Sequence, residues 1–232
     1  MNKTLSTLAI LAALNASPAL AQDLSVKITN LTNAIYFTPV LVAAHDDSAH
    51  LFMEGATASS NLQAMAEGGD ISGLSTDIQA LAGNVIENPA AGLLAPGDQT
   101  SFTMMTNDGN THLSLTAMML PTNDGFVGVD SLMLPTQAGT YTYYLNAYDA
   151  GTEANNEVIN GGGAPGTLGI PVDPGAHSGT GATGLTSTEA NTMIHIHRGN
   201  QGDSDTTGGS SDLNNSVHRW LNPVAQLIIT VN

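Results

Sequence analysis

Residues 24–28 alternate apolar Leu24, Val26 and Ile28 with polar Ser25 and Lys27, the period of a strand with one buried face. After a turn over residues 30–33, Ile35 to Val42 is apolar and β-branched and reads as a second strand. The period then changes. Leu62, Met65 and Ala66, and later Ile78, Leu81 and Ala82, recur at helical spacing, which predicts short helices over 60–67 and 75–83 with Ser60 and Ser75 as N-caps. Beyond a turn at Pro96-Gly97-Asp98, residues 100–106 and 111–120 resemble a hairpin joined by Asn107-Asp108-Gly109-Asn110. Strands over 129–134, 140–147, 193–197 and 224–231 bring the total to about eight. The strand over 140–147 is Tyr-rich, with Tyr141, Tyr143 and Leu145 on one face.

About eight strands with polar turns and two minor helices imply an all-β fold, one antiparallel β-sandwich over residues 22–232. Residues 151–184 hold ten glycines and few apolar side chains, so this stretch is expected to be a surface loop, functional or disordered. A second polar loop spans 199–215. Aromatic residues make up only 4%, so the core must be mainly aliphatic.

The chain carries 20 acids against 4 bases, a formal charge of −16. That balance repels nucleic acid and anionic lipid surfaces and suits a divalent cation. The absence of cysteine removes disulfides, thiolate metal sites and thiol nucleophiles. Residues 1–21 combine Lys3, an apolar run from Leu5 to Leu14 and a small-residue exit at Ala19-Leu20-Ala21. They read as a secretory signal cleaved near Ala21, too short for a membrane anchor. The expected product is an exported protein, extracellular or periplasmic, with no transmembrane anchor.

Two segments suit a hard cation, which takes several oxygen ligands. Pro121 to Phe126 places Asp124 in a tight turn, and Asp149-Ala150-Gly151-Thr152-Glu153 sets two acids four residues apart. These spacings are also those of ordinary turns. Together with His195-Ile196-His197-Arg198-Gly199 and Arg219-Trp220-Leu221-Asn222-Pro223-Val224-Ala225, they resemble the spondin domain family of F-spondin and mindin type, including secreted bacterial members. The resemblance implies a β-sandwich that binds one calcium ion through Asp124, Asp149 and Glu153. It also implies an adhesion or binding role toward a matrix protein, cell-surface glycan or lipopolysaccharide. Glu153 stands where the animal members carry Asp, and Gly125 precedes Phe126 where they have an aromatic directly after the acid. No Cys-rich repeat of the kind that accompanies the domain in animals follows residue 225, so partners of those longer proteins are not expected to transfer.

His195 and His197 flank Ile196 on an expected strand, which sends both side chains to one face, a spacing used to hold iron, zinc or copper. This is the enzymatic alternative. A third ligand could be His218, Glu153, Asp203 or His112, and the sequence does not choose among them. The plainer expectation is histidines hydrogen-bonded within the sandwich. There is no Gly-x-Ser-x-Gly elbow and no Gly-rich loop with Lys. Arg198, Arg219 and Trp220 are read as an arginine buried against an acid and an indole in the core, with a binding surface at Trp220 as the alternative.

Overall fold

The computed structural model describes residues 20–185 and 190–232. The expected signal segment therefore lies, apart from Leu20 and Ala21, outside the described residues. Regular structure starts at once after it. Gln22 is tied down by its amide to Thr106 Oγ1 at 2.9 Å and by its side chain to the Pro135 carbonyl at 2.7 Å.

Ten strands and two helices follow: β1 (Asp23–Asn30), β2 (Tyr36–Phe37), β3 (Leu41–His45), α1 (Ser60–Gly68), α2 (Ser72–Ala80), β4 (Asn84–Glu87), β5 (Gln99–Met105), β6 (His112–Leu120), β7 (Gly125–Met133), β8 (Gly139–Asp149), β9 (His195–Ile196) and β10 (Ala225–Val231). Eight of the strands form one antiparallel path in the order β4-β3-β6-β7-β8-β10-β1-β5, with β2 added to β6 and β9 to β8. The path curls into a nearly closed, sandwich-like barrel. Its two ends meet through side chains: the Asn107 amide donates to Asn84 Oδ1 at 2.7 Å and Thr100 Oγ1 to the Pro89 carbonyl at 2.8 Å.

Alternation along β1 and β10 sends Leu24, Val26, Ile28, Leu227 and Ile229 inward, where they pack with Val42, Leu113, Leu115 and Val127. Strands β3 and β6 are buried on both faces. Their other faces, Leu41, Ala43, Met118 and Leu120, meet Leu62, Met65, Leu74 and Ile78 of the helices. Each such helix side chain contributes about 1.5–3 kcal/mol by leaving water. Double burial explains why β6 reads as a continuous apolar run rather than an alternating one.

Several expectations need correction. The apolar run 35–42 is two strands, because residues 38–40 leave the ladder between β2 and β3. The expected hairpin does not form: β5 pairs with β1, and β6 with β3 and β7. Its connecting residues are held elsewhere, Asn107 and Asn110 both donating to the Ala82 carbonyl. The first helix is capped by Ser59, which accepts from the Leu62 amide at 3.1 Å, not by Ser60. Ser75 lies inside α2, buried, with its hydroxyl donating to Glu87 on β4.

The described part of the loop beyond Asp149 is ordered by buried carboxylates rather than by apolar side chains. Glu157 accepts from the Gln201 and Gly202 amides at 2.6 and 2.8 Å, and from Ser211 Oγ at 2.6 Å. Asp212 accepts from the Ile159 and Ala182 amides, and Asp173 from those of Gly175, His177 and Ser178. Glu67 of α1 reaches across to the Gly166 amide at 2.5 Å. Charge-assisted bonds of this kind are roughly twice as strong as neutral ones, so they substitute for the core that the glycine-rich sequence lacks.

Candidate functional site

Strand register builds the site. In the β7–β8 ladder Gly125 faces Asp149, and in the β8–β9 ladder Asp149 faces His195. Asp124, one residue before β7, is thereby brought beside Asp149 at the end of β8. Thr122 shapes the intervening turn: its hydroxyl donates to the Met119 carbonyl at 2.5 Å and accepts the Gly125 amide at 3.0 Å.

Each of the three acids has part of its carboxylate engaged by local donors. Asp124 Oδ2 accepts from the Thr152 amide at 2.8 Å, the Thr152 hydroxyl at 3.1 Å and the Glu153 amide at 3.2 Å. Asp149 Oδ1 accepts from the Gly151 amide at 2.8 Å and Oδ2 from Asn155 at 2.7 Å. Glu153 Oε2 accepts from the Gly169 amide at 2.9 Å. The opposite oxygens of two of them, Asp124 Oδ1 and Glu153 Oε1, are buried with no hydrogen-bond partner. A buried acceptor left unpaired costs about 1–3 kcal/mol.

Burial, and then the charge of Asp149, push Asp124 up to about 8. Burial likewise raises Glu153 to about 7, with Glu67 and Asp149 adding to the rise. Burial of this kind disfavours the charged form, so both acids hold their protons up to about neutral pH. The three side chains influence one another electrostatically, yet among the described residues no group of three or more His, Asp or Glu stands ready to hold a metal ion. The fit to a hard cation rests on the donor set, carboxylates only, and on the two unpartnered oxygens.

The histidines do not share a site. His195 is half-buried; its Nδ1 donates to the Met193 carbonyl at 2.8 Å and its Nε2 stands 3.8 Å from Asp149 Oδ2. His197 lies beyond the two-residue strand β9, buried, accepting the Gly199 amide at 2.9 Å on Nδ1 and packing on Trp220 with ring centroids 5.0 Å apart. The proposed third ligands are scattered. His218 faces Asp173, His112 stacks near His45, Asp203 accepts amides of its own loop, and Glu153 belongs with the other acids.

Trp220 is buried, as expected, but the arginines are not: Arg198 and Arg219 are both exposed. They line one surface recess. A polar cluster around Asp130 also escaped the sequence reading. It accepts from His50 at 2.6 Å, Ser114 at 3.1 Å and the Leu51 amide at 2.8 Å, and Ser114 contacts His45 at 2.7 Å. Its members come from β3, the segment that follows it, β6 and β7, with no motif to connect them, and they fasten residues 45–52 to β6 and β7.

No curated protein matches the chain in a sequence comparison. The family model described as Spondin_N matches residues 29–158, a span that includes Asp124, Asp149 and Glu153, and because it covers more than half of the sequence, the chain belongs to the Spondin_N family.

Proposed function

We propose that this chain is an exported binding module whose loops at one end of the barrel are stabilised by a hard divalent cation, calcium, held by Asp124, Asp149 and Glu153. Family membership supports the extracellular binding role, and among the described residues no helix is long and apolar enough to cross a membrane. The observation that carries the cation reading is the pair of buried carboxylate oxygens, Asp124 Oδ1 and Glu153 Oε1, that have no donor.

Without the ion, protons take its place: burial keeps Asp124 largely protonated at neutral pH and Glu153 partly so. Calcium would displace those protons and bring positive charge beside carboxylates that raise one another's proton affinity. The turn at 121–125 and the start of the long loop would then be tied together. The partner in this reading is a matrix protein, glycan or lipopolysaccharide at a cell surface, met by loops that the cation has ordered.

Melting curves of chelator-treated protein with and without millimolar calcium test the reading. A cation bound at a hundred times its Kd adds about 2.7 kcal/mol, which at this chain length raises the melting temperature by roughly 5–10 °C. Asp149→Asn should abolish the rise. Identical curves with and without calcium would refute the cation.

A further inference from the structure

Away from the acidic site, three of the chain's seven histidines gather at the end of β3, where His45 feels the charges of Asp130, His112 and His50. His45 is 1% exposed. Its Nδ1 lies 2.7 Å from the Asp46 carbonyl and its Nε2 2.7 Å from Ser114 Oγ on β6. His112 stands opposite it in the β3–β6 ladder, with nearly parallel rings whose centroids are 6.4 Å apart. His50 approaches from the exposed side and places Nδ1 2.6 Å from Asp130 Oδ2.

The hydrogens available here fix what a proton does. A carbonyl can only accept, so His45 Nδ1 carries a hydrogen and, while the ring is neutral, Nε2 carries none. Ser114 then donates its one hydroxyl hydrogen to Nε2. Asp130 Oδ1, 3.1 Å from the same hydroxyl, goes without it, and the hydroxyl oxygen also accepts the Ser131 amide at 2.8 Å. Protonation of His45 reverses the chain: Nε2 donates to Ser114, and the freed hydroxyl hydrogen turns to Asp130.

One carboxylate can offset one imidazolium, and His50 already engages it. The neighbouring acids give no relief. Asp46 turns its carboxylate to Ser48. Asp77 of α2 lines a recess with His50 but accepts from Asn61 at 2.6 Å. Glu87 of β4 pairs opposite Leu41 at the far end of β3, and Glu54 acts on Tyr148. Burial, with His112 and His50 adding to it, holds His45 below its ordinary value despite the opposing pull of the Asp46 carbonyl and Asp130. Such a histidine stabilises the closed form in full above its unfolded value, near 6.5, and that contribution is lost as pH falls below it.

The cluster holds residues 46–57 in place. Asp130 Oδ1 accepts the Leu51 and Phe52 amides at 2.8 and 3.3 Å. That seats the Phe52 ring 5.0 Å from both Phe126 and Tyr148, over Gly128, where a Cβ would come within 2.7 Å of it. Further on, the Gly55 amide donates to the Ile194 carbonyl and the Ile194 amide to the Ala56 carbonyl, each at 2.8 Å, one residue before β9. We propose that residues 46–57 form a proton-released strap: acidification charges more than one of His45, His50 and His112, unlatches the strap from Asp130, and frees Phe52 and the anchor of residue 194.

The strap requires neither calcium nor a bound partner. Hydrogen–deuterium exchange of the whole chain in chelator, corrected for the intrinsic pH dependence of amide exchange, tests it. Between pH 7 and pH 5, protection over 46–57 should fall by up to about tenfold per pH unit for each proton that the open strap takes up beyond the closed one. Strands β1 and β10 should keep their protection. His112→Gln removes one repelling charge and leaves the Asp130 bonds in place, so it should move the opening to lower pH; a merely structural loss would weaken protection equally at both pH values. Nitrogen NMR of the wild type at pH 7 should find His45 neutral with its hydrogen on Nδ1. The proposal is overturned if the strap stays protected at pH 5, if it loosens only together with β1 and β10, if His45 carries its hydrogen on Nε2, or if His112→Gln leaves the pH of opening unchanged.

Discussion

The backbone amide of Glu153 donates to Asp124 Oδ2 at 3.2 Å, so the turn that carries one acid of the site is held in place by another. Because the bond uses only one oxygen of Asp124, the other remains buried and unpartnered. Asp124→Asn should separate the two jobs. The amide oxygen can still accept from Thr152 and Glu153, while the NH2 takes the place of the proton. In chelator at pH 8 the variant should melt at or above the wild-type temperature, whereas its calcium-induced rise should vanish. A variant that keeps the rise would place the cation elsewhere.

The same two acids set the pH dependence of the ion-free chain. Asp124 moves from an ordinary 3.8 to about 8 and Glu153 from 4.5 to about 7. Between those limits the native state binds more protons than the unfolded chain, so stability falls as pH rises. Their contribution is complete below about pH 4 and is lost progressively as pH climbs through the raised values. In chelator the melting temperature should therefore decline from pH 5 to pH 8. Calcium, by replacing the protons, should flatten that decline. Its binding should release protons near pH 6, detected as a calorimetric enthalpy that changes with the ionisation enthalpy of the buffer.

Glu67 and Gly68 fasten α1 to the glycine-rich loop. Glu67 is fully buried, accepting from Gln63 at 2.8 Å and the Gly166 amide at 2.5 Å. A side chain at Gly68 would run into the Gly163 carbonyl. Gly68→Ala should force the loop away from the helix, and Glu67→Ala should leave the Gly166 amide without its partner at a cost of about 1–3 kcal/mol. Limited proteolysis should then cut within residues 160–170 faster than in wild type. Equal cleavage rates would mean that the loop is held by its other anchors.

The all-β class and most strands were legible because β1, β5, β8 and β10 each bury one face, and an alternating pattern survives there. Where burial is two-sided the pattern fails. Strand β4 gave no signal for a different reason, being four residues long with none fully buried, and the hairpin expected around residues 107–110 was a local reading of a junction whose partners, Ala82 and Asn84, lie far away in sequence. Asp124, Asp149 and Glu153 were visible as residues near turns and by family resemblance. Their juxtaposition was not, since it depends on Gly125 facing Asp149 across two strands. The order of the long loop was hidden for a similar reason: Glu157, Asp173 and Asp212 look like solvated acids until the amides they accept are known.

Asp173 and His218 form the clasp that the glycine-rich composition concealed. Both side chains are buried, and His218 Nε2 stands 3.3 Å from Asp173 Oδ2. His218 Nδ1 accepts the Asn214 amide at 2.9 Å, which leaves the hydrogen on Nε2, facing the carboxylate. Burial alone would raise Asp173, but His218 and the amides of His177 and Gly175 outweigh it and hold the acid well below its ordinary range. A depressed carboxylate stabilises above its unfolded value, near 3.8, and that contribution is lost as pH falls through the acid range. The sign is opposite to that of Asp124. Asp173→Asn cannot accept all three loop amides, so it should cost about 1–3 kcal/mol at pH 7 and lower the melting temperature by several degrees. Below pH 4 the gap between variant and wild type should narrow, because the wild-type carboxylate is then losing its own advantage. A gap that stays constant from pH 7 to pH 3 would show that Asp173 acts through shape alone and not through its charge.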